Sequence, residues 1–343
     1  MLICERIFLK EGHLFRPFSE SCDVKCRGYS LPLQRRICDF GADVSFNGIP
    51  EKLYEHYGIE IPYSAVRYLT ERHAEAVKEN EYYETAIPET DGVGCIVCGT
   101  DGTMIPIVVT EESADAGNLS DRRKTRRCGW KEARLMPAHA KGSVSPVFGC
   151  TLGGPDEAGD GLPNCAIHAG MGQKTEVHCI GDGAAWIVNQ TDRVFGSQAD
   201  YLIDFYHLCE YLSRASESCE PDNPSVFSDR HKQLMKEGKV SEVIDELKPY
   251  SESDSVPAAK APVRCCLNYI MKRPGQFDYK RASENDLPIG SGEIGSAHRY
   301  IIQKRLKIAG AWWKENNAGN MLSLRILRAN GHWENYWEKT DRI

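Results

Sequence analysis

Val93 to Thr110 reads VGCIVCGTDGTMIPIVVT, two apolar and β-branched runs separated by Asp101-Gly102-Thr103. The runs predict two strands, and the Asp-Gly-Thr between them predicts a tight turn. Asp101 then stands at the end of the first strand, followed by a glycine that lets backbone or ligand approach closely. The same arrangement recurs in KTEVHCIGDGAAWIVNQ, where a strand ends at Asp182 and Gly183 comes next. Two carboxylates converging on one sheet edge suit a divalent cation. Asp-Gly is also the commonest hairpin turn, so spacing alone leaves Asp101 open to a purely structural reading.

Around these two points, GWKEARLMPAHA and SPVFGCTLGG read as further strands. A Gly-, Pro- and Asp-rich loop over 153–164 precedes a predicted helix at about 165–173. ADYLIDFYHLCEYLSRA reads as a short strand running into a helix. The order of hairpin strands, helix, strand, strand and helix predicts an α/β domain. Composition turns polar and helical over 215–285, which predicts a helical insertion broken at CEPDNPS and SESDSVPAAKAP.

Upstream, Leu53, Tyr54 and Tyr57 have helical spacing and stop at Gly58. A second helix after Pro62 and Ser64 carries Val66, Leu69, Thr70 and His73 on one face. This is helix-turn-helix spacing, with Arg67, Arg72 and Lys78 available to a DNA groove. An αα-hairpin that only packs fits the same pattern.

The chain has 343 residues, a net charge of -7 and 14 scattered cysteines. That balance excludes a wholly basic nucleic-acid coat and leaves local clusters, DRRKTRR at 121–127 and HRYIIQKRLK at 298–307. No run is long and apolar enough for a bilayer, no secretory signal is read in MLICERIFLKEGH, and reduced thiols in a cytoplasmic protein are expected. Cys22, Cys26 and Cys38 lack a second close pair, so scattered thiols are the stronger reading over a zinc knuckle. Cys95 and Cys98 are three apart on a strand and face opposite sides.

GTDGTMIPIV, GWKEARLM, IGDGAAWIVNQ, LIDFYHLCEYL and PIGSGEIGSAHRYIIQKRLKIAGAWW, in this order, resemble the insertion-sequence transposases of the ISKra type, a Mutator-related group with the RNase H-like DDE fold. The likeness also takes in RICDFGADVSFNGIPEKLYEHYGIEIP and spans most of residues 35–335. It implies a mixed five-stranded sheet with flanking helices, Mg²⁺ (or Mn²⁺) as cofactor, double-stranded DNA as partner, and a homo-oligomer on element ends. Asp101 and Asp182 are the implied metal ligands, and Asp204 and His207 match an Asp-x-x-His element between the second and third acids, read either as a buried polar pair that pins the helix start or as groups supporting the metal ligands or contacting DNA.

Arg305, Lys307, Gly310 and Trp313 match a pattern that follows the third acid. With Arg67, Arg72, Arg299 and Lys304, the residues Arg305, Lys307 and Trp313 are the expected DNA contacts, and Trp312 beside Trp313 adds aromatic surface suited to an element end or a flanking single strand. A solvated basic face with a tryptophan anchored in the core is the other reading. Trp130, on a strand, reads as a core residue rather than a stacking platform.

The family's Gly-Ser-Gly-x-hydrophobic-Glu-Ser is matched at Gly290, Ser291, Gly292, Ile294 and Ser296, but the glutamate position is Gly295. Glu293 is the provisional third ligand, about 200° around a helix from it, and His298 shares a face with Gly295. The expected organisation is an N-terminal segment over 1–34, a helix-turn-helix unit over 35–90, a catalytic domain over 91–214 and 286–310, the insertion at 215–285, and a Trp-rich tail at 311–343. An inactive DNA-binding derivative and another RNase H-fold nuclease are the competing functions.

Overall fold

A computed structural model of the chain describes residues 6–22, 24, 25, 28–110 and 126–340. After two short hairpins come helices α1 (Leu31–Asp43), α2 (Ile49–Tyr57) and α3 (Tyr63–Glu79). Strands β1 (Cys95–Gly99), β2 (Asp101–Thr110), β3 (Arg126–Ala140) and β4 (Val147–Thr151) follow. Then come α4 (Pro155–His168), β5 (Glu176–Gly181), α5 (Ala185–Phe195) and β6 (Ala199–Ile203). A helical run continues with α6 (Phe205–Cys219), α7 (Pro224–Lys236), α8 (Val240–Leu247), α9 (Pro262–Met271) and α10 (Tyr279–Glu284). Next are α11 (Gly292–Ala297), a π-helical turn His298–Gln303 and α12 (Lys304–Leu306). Finally come α13 (Glu315–Ala329) and α14 (Trp333–Thr340).

The fold is mixed α/β, and the chain forms two compact units. One comprises Met1–Tyr82, Met104–Ala133 and His298–Ile343, the other Tyr83–Thr103 and Arg134–Ala297. Strands β2 and β3 carry residues of both.

The sheet has the order β6-β5-β1-β3-β2, with β4 also on β3. In the second unit β5 runs parallel to both β1 and β6, with Gly99 opposite Ile180 and Gly181 opposite Ile203. Strand β3 is antiparallel to β1 and β4. Ile96, Cys98, Met136, Val177 and Cys179 form one core with Ala158, Leu162 and Cys165 of α4. A second core joins Leu202 and Ile203 to Phe205, Leu208 and Leu212 of α6 and to residues of α7–α10. Helices thus fill the polar 215–285 stretch, broken near 220–223 and 251–257.

Three expectations change. The chain does not turn at Asp101-Gly102-Thr103. A two-residue hairpin of the Asp-Gly type needs left-handed backbone at both central residues, and neither Asp101 nor Gly102 has a positive φ. The chain stays extended, and β3, 15 residues long, pairs with both β1 and β2.

The expected loop over 153–164 is mostly helix. Pro155 occupies the first turn of α4, where its missing N–H costs nothing, and Asp156 and Glu157 complement the helix dipole there. Its glycines serve packing: a Cβ on Gly159 would stand 2.1 Å from Gln190 Oε1, and one on Gly161 2.4 Å from Met136 Cε.

Helix α5, absent from the expected order, supplies the crossover that parallel β5 and β6 require.

In the first unit α2 ends at Gly58, whose φ of 62° makes a left-handed cap. Val66, Leu69, Thr70 and His73 of α3 are buried, as their spacing predicts, and pack with α1 and α2 through Ile37, Ile49 and Leu53. Helices α1 and α3 approach closely at Gly41, where a Cβ would meet Thr70 Oγ1 at 2.4 Å. His73 is fixed between Gln34 Oε1 at 2.8 Å and the Tyr336 hydroxyl at 2.7 Å. Burial, reinforced by the Arg72 charge, lowers its pKa to about 4.

Candidate active site

Three parallel strands end side by side in the second unit, and each is followed by an aspartate: Asp101 after β1, Asp182 after β5 and Asp204 after β6. In open α/β sheets, ligands gather outside such carboxyl ends. All three line one cleft of about 320 Å³, with Tyr206, His207 and Glu210 of α6 and Ser291 and Ile294 around the start of α11.

The second acid sits on a heavily braced loop. Asp182 Oδ1 accepts from the Ala184 N–H at 2.8 Å, while its carbonyl accepts from the Tyr269 hydroxyl at 2.7 Å. Gly183, with φ of 80°, donates its N–H to the Tyr201 hydroxyl at 3.0 Å and accepts from Arg273 Nε at 2.8 Å. A Cβ there would crowd Arg273 and Tyr269 at 2.9 and 3.0 Å, so only glycine fits. Burial pushes both the Tyr201 and Tyr269 phenols up, so both keep their protons, Tyr269 donating to Asp182 and Tyr201 accepting from Gly183. Asp101 is held more locally, its Oδ1 accepting from the Gly102 N–H at 2.7 Å.

Asp204 has a different task. Its Oδ1 caps α6, accepting from the N–H groups of Tyr206 at 2.6 Å and His207 at 3.0 Å. Its Oδ2 accepts from the Ser291 N–H at 2.6 Å and from the Ser291 hydroxyl. Both oxygens are committed, which ties the start of α6 to the segment before α11. The His178 ring reinforces this segment through the Pro288 carbonyl at 2.9 Å, and burial lowers its pKa toward the neutral form. Gly99 permits the close approach: a Cβ there would meet the Ile180 carbonyl at 2.4 Å and Ile294 Cδ1 at 2.7 Å.

Glu293 does not line the cleft. Its Oε2 lies 2.9 Å from His139 Nε2 of β3, and its side chain is 68% exposed. Gly295 is exposed, and a Cβ built on it meets nothing within 4 Å. Glu210, which sequence reasoning passed over, does line the cleft. The signal for it was Asp204, His207 and Glu210 at successive intervals of three, one face of a helix. Among the described residues no three His, Cys, Asp or Glu side chains converge as a metal-holding group.

Two expected DNA contacts are core residues of the first unit. Arg305 is 2% exposed, donates from Nε to the Gly41 carbonyl at 2.8 Å, and lies 4.5 and 4.7 Å from the Phe46 and Trp313 ring centres. Burial, with the neighbouring Arg325 charge, lowers its pKa to about 10. Trp313 is buried and donates from Nε1 to the Leu306 carbonyl at 3.2 Å. Both are corrections: a basic run on a helix shows its charge types but not which of them point inward.

His298 is buried in the same unit. Arg67, Arg72, Arg299, Lys304 and Lys307 are exposed. Of these, Arg67 pairs with Glu71 at 3.0 Å and Lys304 with Asp43 at 3.4 Å. Trp130, expected in the core, is 61% exposed. Cys38 is buried and Cys22 exposed, while Cys26 and residues 121–125 of the basic cluster lie outside the described residues. No helix among the described residues is long and apolar enough to cross a membrane. No protein-family model matches the chain, and no curated protein matches it by sequence.

Proposed function

We propose that this chain is a DDE-type transposase of RNase H-like fold, which cuts DNA at the ends of an insertion sequence and joins them to a target, acting as a homo-oligomer on double-stranded DNA. The observation that carries the reading is the shared cleft at the ends of β1 and β5, holding Asp101 and Asp182. A mixed six-stranded sheet with flanking helices, one strand more than the five expected, supports the reading at the level of a mixed α/β scaffold.

The donors suit the expected ion. Carboxylate oxygens are hard ligands, and Mg²⁺ is commonly held by one or two of them together with substrate phosphates. Asp101 and Asp182 would hold Mg²⁺ or Mn²⁺, which when bound activates water and neutralises charge on the phosphodiester. Tyr201, Tyr269 and Arg273 keep the Asp182 loop rigid, and Asp204 positions Ser291 and the start of α6. His207 lines the cleft on the same helix face as Glu210. Arg299, Lys304 and Lys307, with Arg67 and Arg72 of the α2–α3 helix-turn-helix, supply phosphate contacts.

A plasmid carrying the terminal repeats that flank the gene tests this. Mg²⁺-dependent nicking at the repeats is expected to be weak, because the family's glutamate position is Gly295, and should vanish in Asp101→Asn and Asp182→Asn; a chain that binds the repeats without cleaving them under any divalent ion, even as Gly295→Glu, would overturn it. One observation favours a second reading, an end-binding derivative without cleavage: the family's glutamate position is Gly295, and Glu293 pairs with His139 instead.

A further inference from the structure

In the first unit, Trp130 and Trp312 are 61% and 47% exposed, with ring centres 6.4 Å apart and planes inclined by 58°. Large aromatic surface is seldom left in water without use. The exposure is built in. Trp313 is clamped to the strand, its N–H donating to the Pro106 carbonyl at 3.3 Å and its carbonyl accepting from the Val108 N–H at 2.7 Å. Its ring is buried, so the preceding residue, Trp312, is turned outward. Trp130 stands next to Gly129, the residue that lies against Ile107, and so faces away from it. Beside Trp312 opens a cleft of about 640 Å³ lined by Tyr63, Arg67, Arg126, Lys314 and Asn317.

We infer that Trp130 and Trp312 form a platform for an unpaired nucleobase, with the adjoining cleft taking the phosphates of the same single strand. The platform rests on the reading of the chain as a DNA-processing protein, and it adds a recognition element outside the carboxylate cleft. The chemistry selects this partner. Every base offers a π-face whatever its identity, and stacking on indole requires that the base be out of a duplex. Arg126 and Lys314 are exposed cations on a chain whose net charge is -7, so their grouping beside aromatic surface favours an anionic, ring-bearing ligand over an apolar peptide. The acids nearby are already engaged, Glu315 with Lys131 at 2.7 Å and Glu71 with Arg67 at 3.0 Å.

The test uses the full chain in EDTA and fluorescence anisotropy of labelled 15-nucleotide strands, oligo(dT) against the same strand made abasic. Oligo(dT) should bind about tenfold or more tightly than the abasic strand. Trp130→Ala and Trp312→Ala should each remove that preference at unchanged melting temperature, and Trp130→Phe should keep most of it. Equal binding of the two strands, or a base preference that survives both alanine variants, overturns the platform. So does a loss confined to self-association by sedimentation. Asp101→Asn, expected to lose cleavage, should bind oligo(dT) as the parent does, so failure of the catalytic reading and failure of the platform give different results.

Discussion

Asp182 and Asp204 occupy equivalent places, each one residue past a parallel strand, yet their hydrogen bonds give them different work. The Asp182 carboxylate accepts from the Ala184 N–H, whereas Asp204 satisfies α6 with one oxygen and Ser291 with the other. Asp204→Ala should therefore cost about 2–3 kcal/mol of stability, a lost cap plus buried donors left unpaired. Asp182→Asn should abolish Mg²⁺-dependent cleavage with little change in melting temperature; a variant that unfolds as readily as Asp204→Ala would contradict the division. His73 gives a pH signature. Its folded pKa of about 4 lies below the ordinary 6.5, so the unfolded chain takes up the proton more readily. Its stabilising effect is whole above pH 6.5 and is lost as pH falls toward 4, by up to about 3 kcal/mol. Denaturant titrations across that window should show a smaller acid loss in His73→Gln than in the parent, and parallel curves would refute it. The aspartates and the His73 face were legible because strand ends and helical spacing are local properties. Arg305 was not: its partners, Gly41 and Phe46, lie far away in sequence, and only the folded packing turns that guanidinium inward.

Elements were legible where one face is apolar and the other polar, and obscured where packing required small residues. Helix α4 looked like a loop because Gly159 and Gly161 meet Gln190 and Met136 directly, and the hairpin at Asp101 was expected because an Asp-Gly pair carries no record of how long its partner strand is. Gly161→Ala should accordingly destabilise by about 1–3 kcal/mol through overpacking against Met136, despite alanine's better helix propensity. For the proposed cleavage, the segment that matters most is the one from α11 to α12. Glu293 lies in its first turn and pairs with His139, while Gly295 leaves room for a side chain. Gly295→Glu should fit without steric strain, gain up to about 1 kcal/mol from replacing a helical glycine, and raise Mg²⁺-dependent cleavage. If the parent chain cleaves well and Glu293→Gln abolishes that activity with Gly295 unchanged, Glu293 is the third ligand despite standing about 200° around the helix from Gly295.

Across the molecule, a net charge of -7 means that the DNA affinity we propose cannot come from the overall field and must come from local cations. The basic run at 298–307 divides sharply: Arg299, Lys304 and Lys307 are exposed, while Arg305 is 2% exposed with its Nε committed to Gly41. An exposed cation that touches a phosphate releases about one counterion on binding, so each such residue contributes roughly 0.9 to the slope of log K against log salt. Arg299→Gln with Lys307→Gln should therefore flatten that slope by about 2 and weaken all duplexes alike, because phosphate contacts carry no sequence information. Arg305→Gln should leave the slope as it is and instead lower stability by about 2–4 kcal/mol, since it unpairs a buried carbonyl and removes a cation from between two rings. Titrating duplex binding between 50 and 200 mM salt, alongside denaturant unfolding, separates the two kinds of arginine. A slope that falls by about 1 in Arg305→Gln at parental stability would mean that this side chain reaches solvent in the DNA-bound state, and that the buried guanidinium is a resting position.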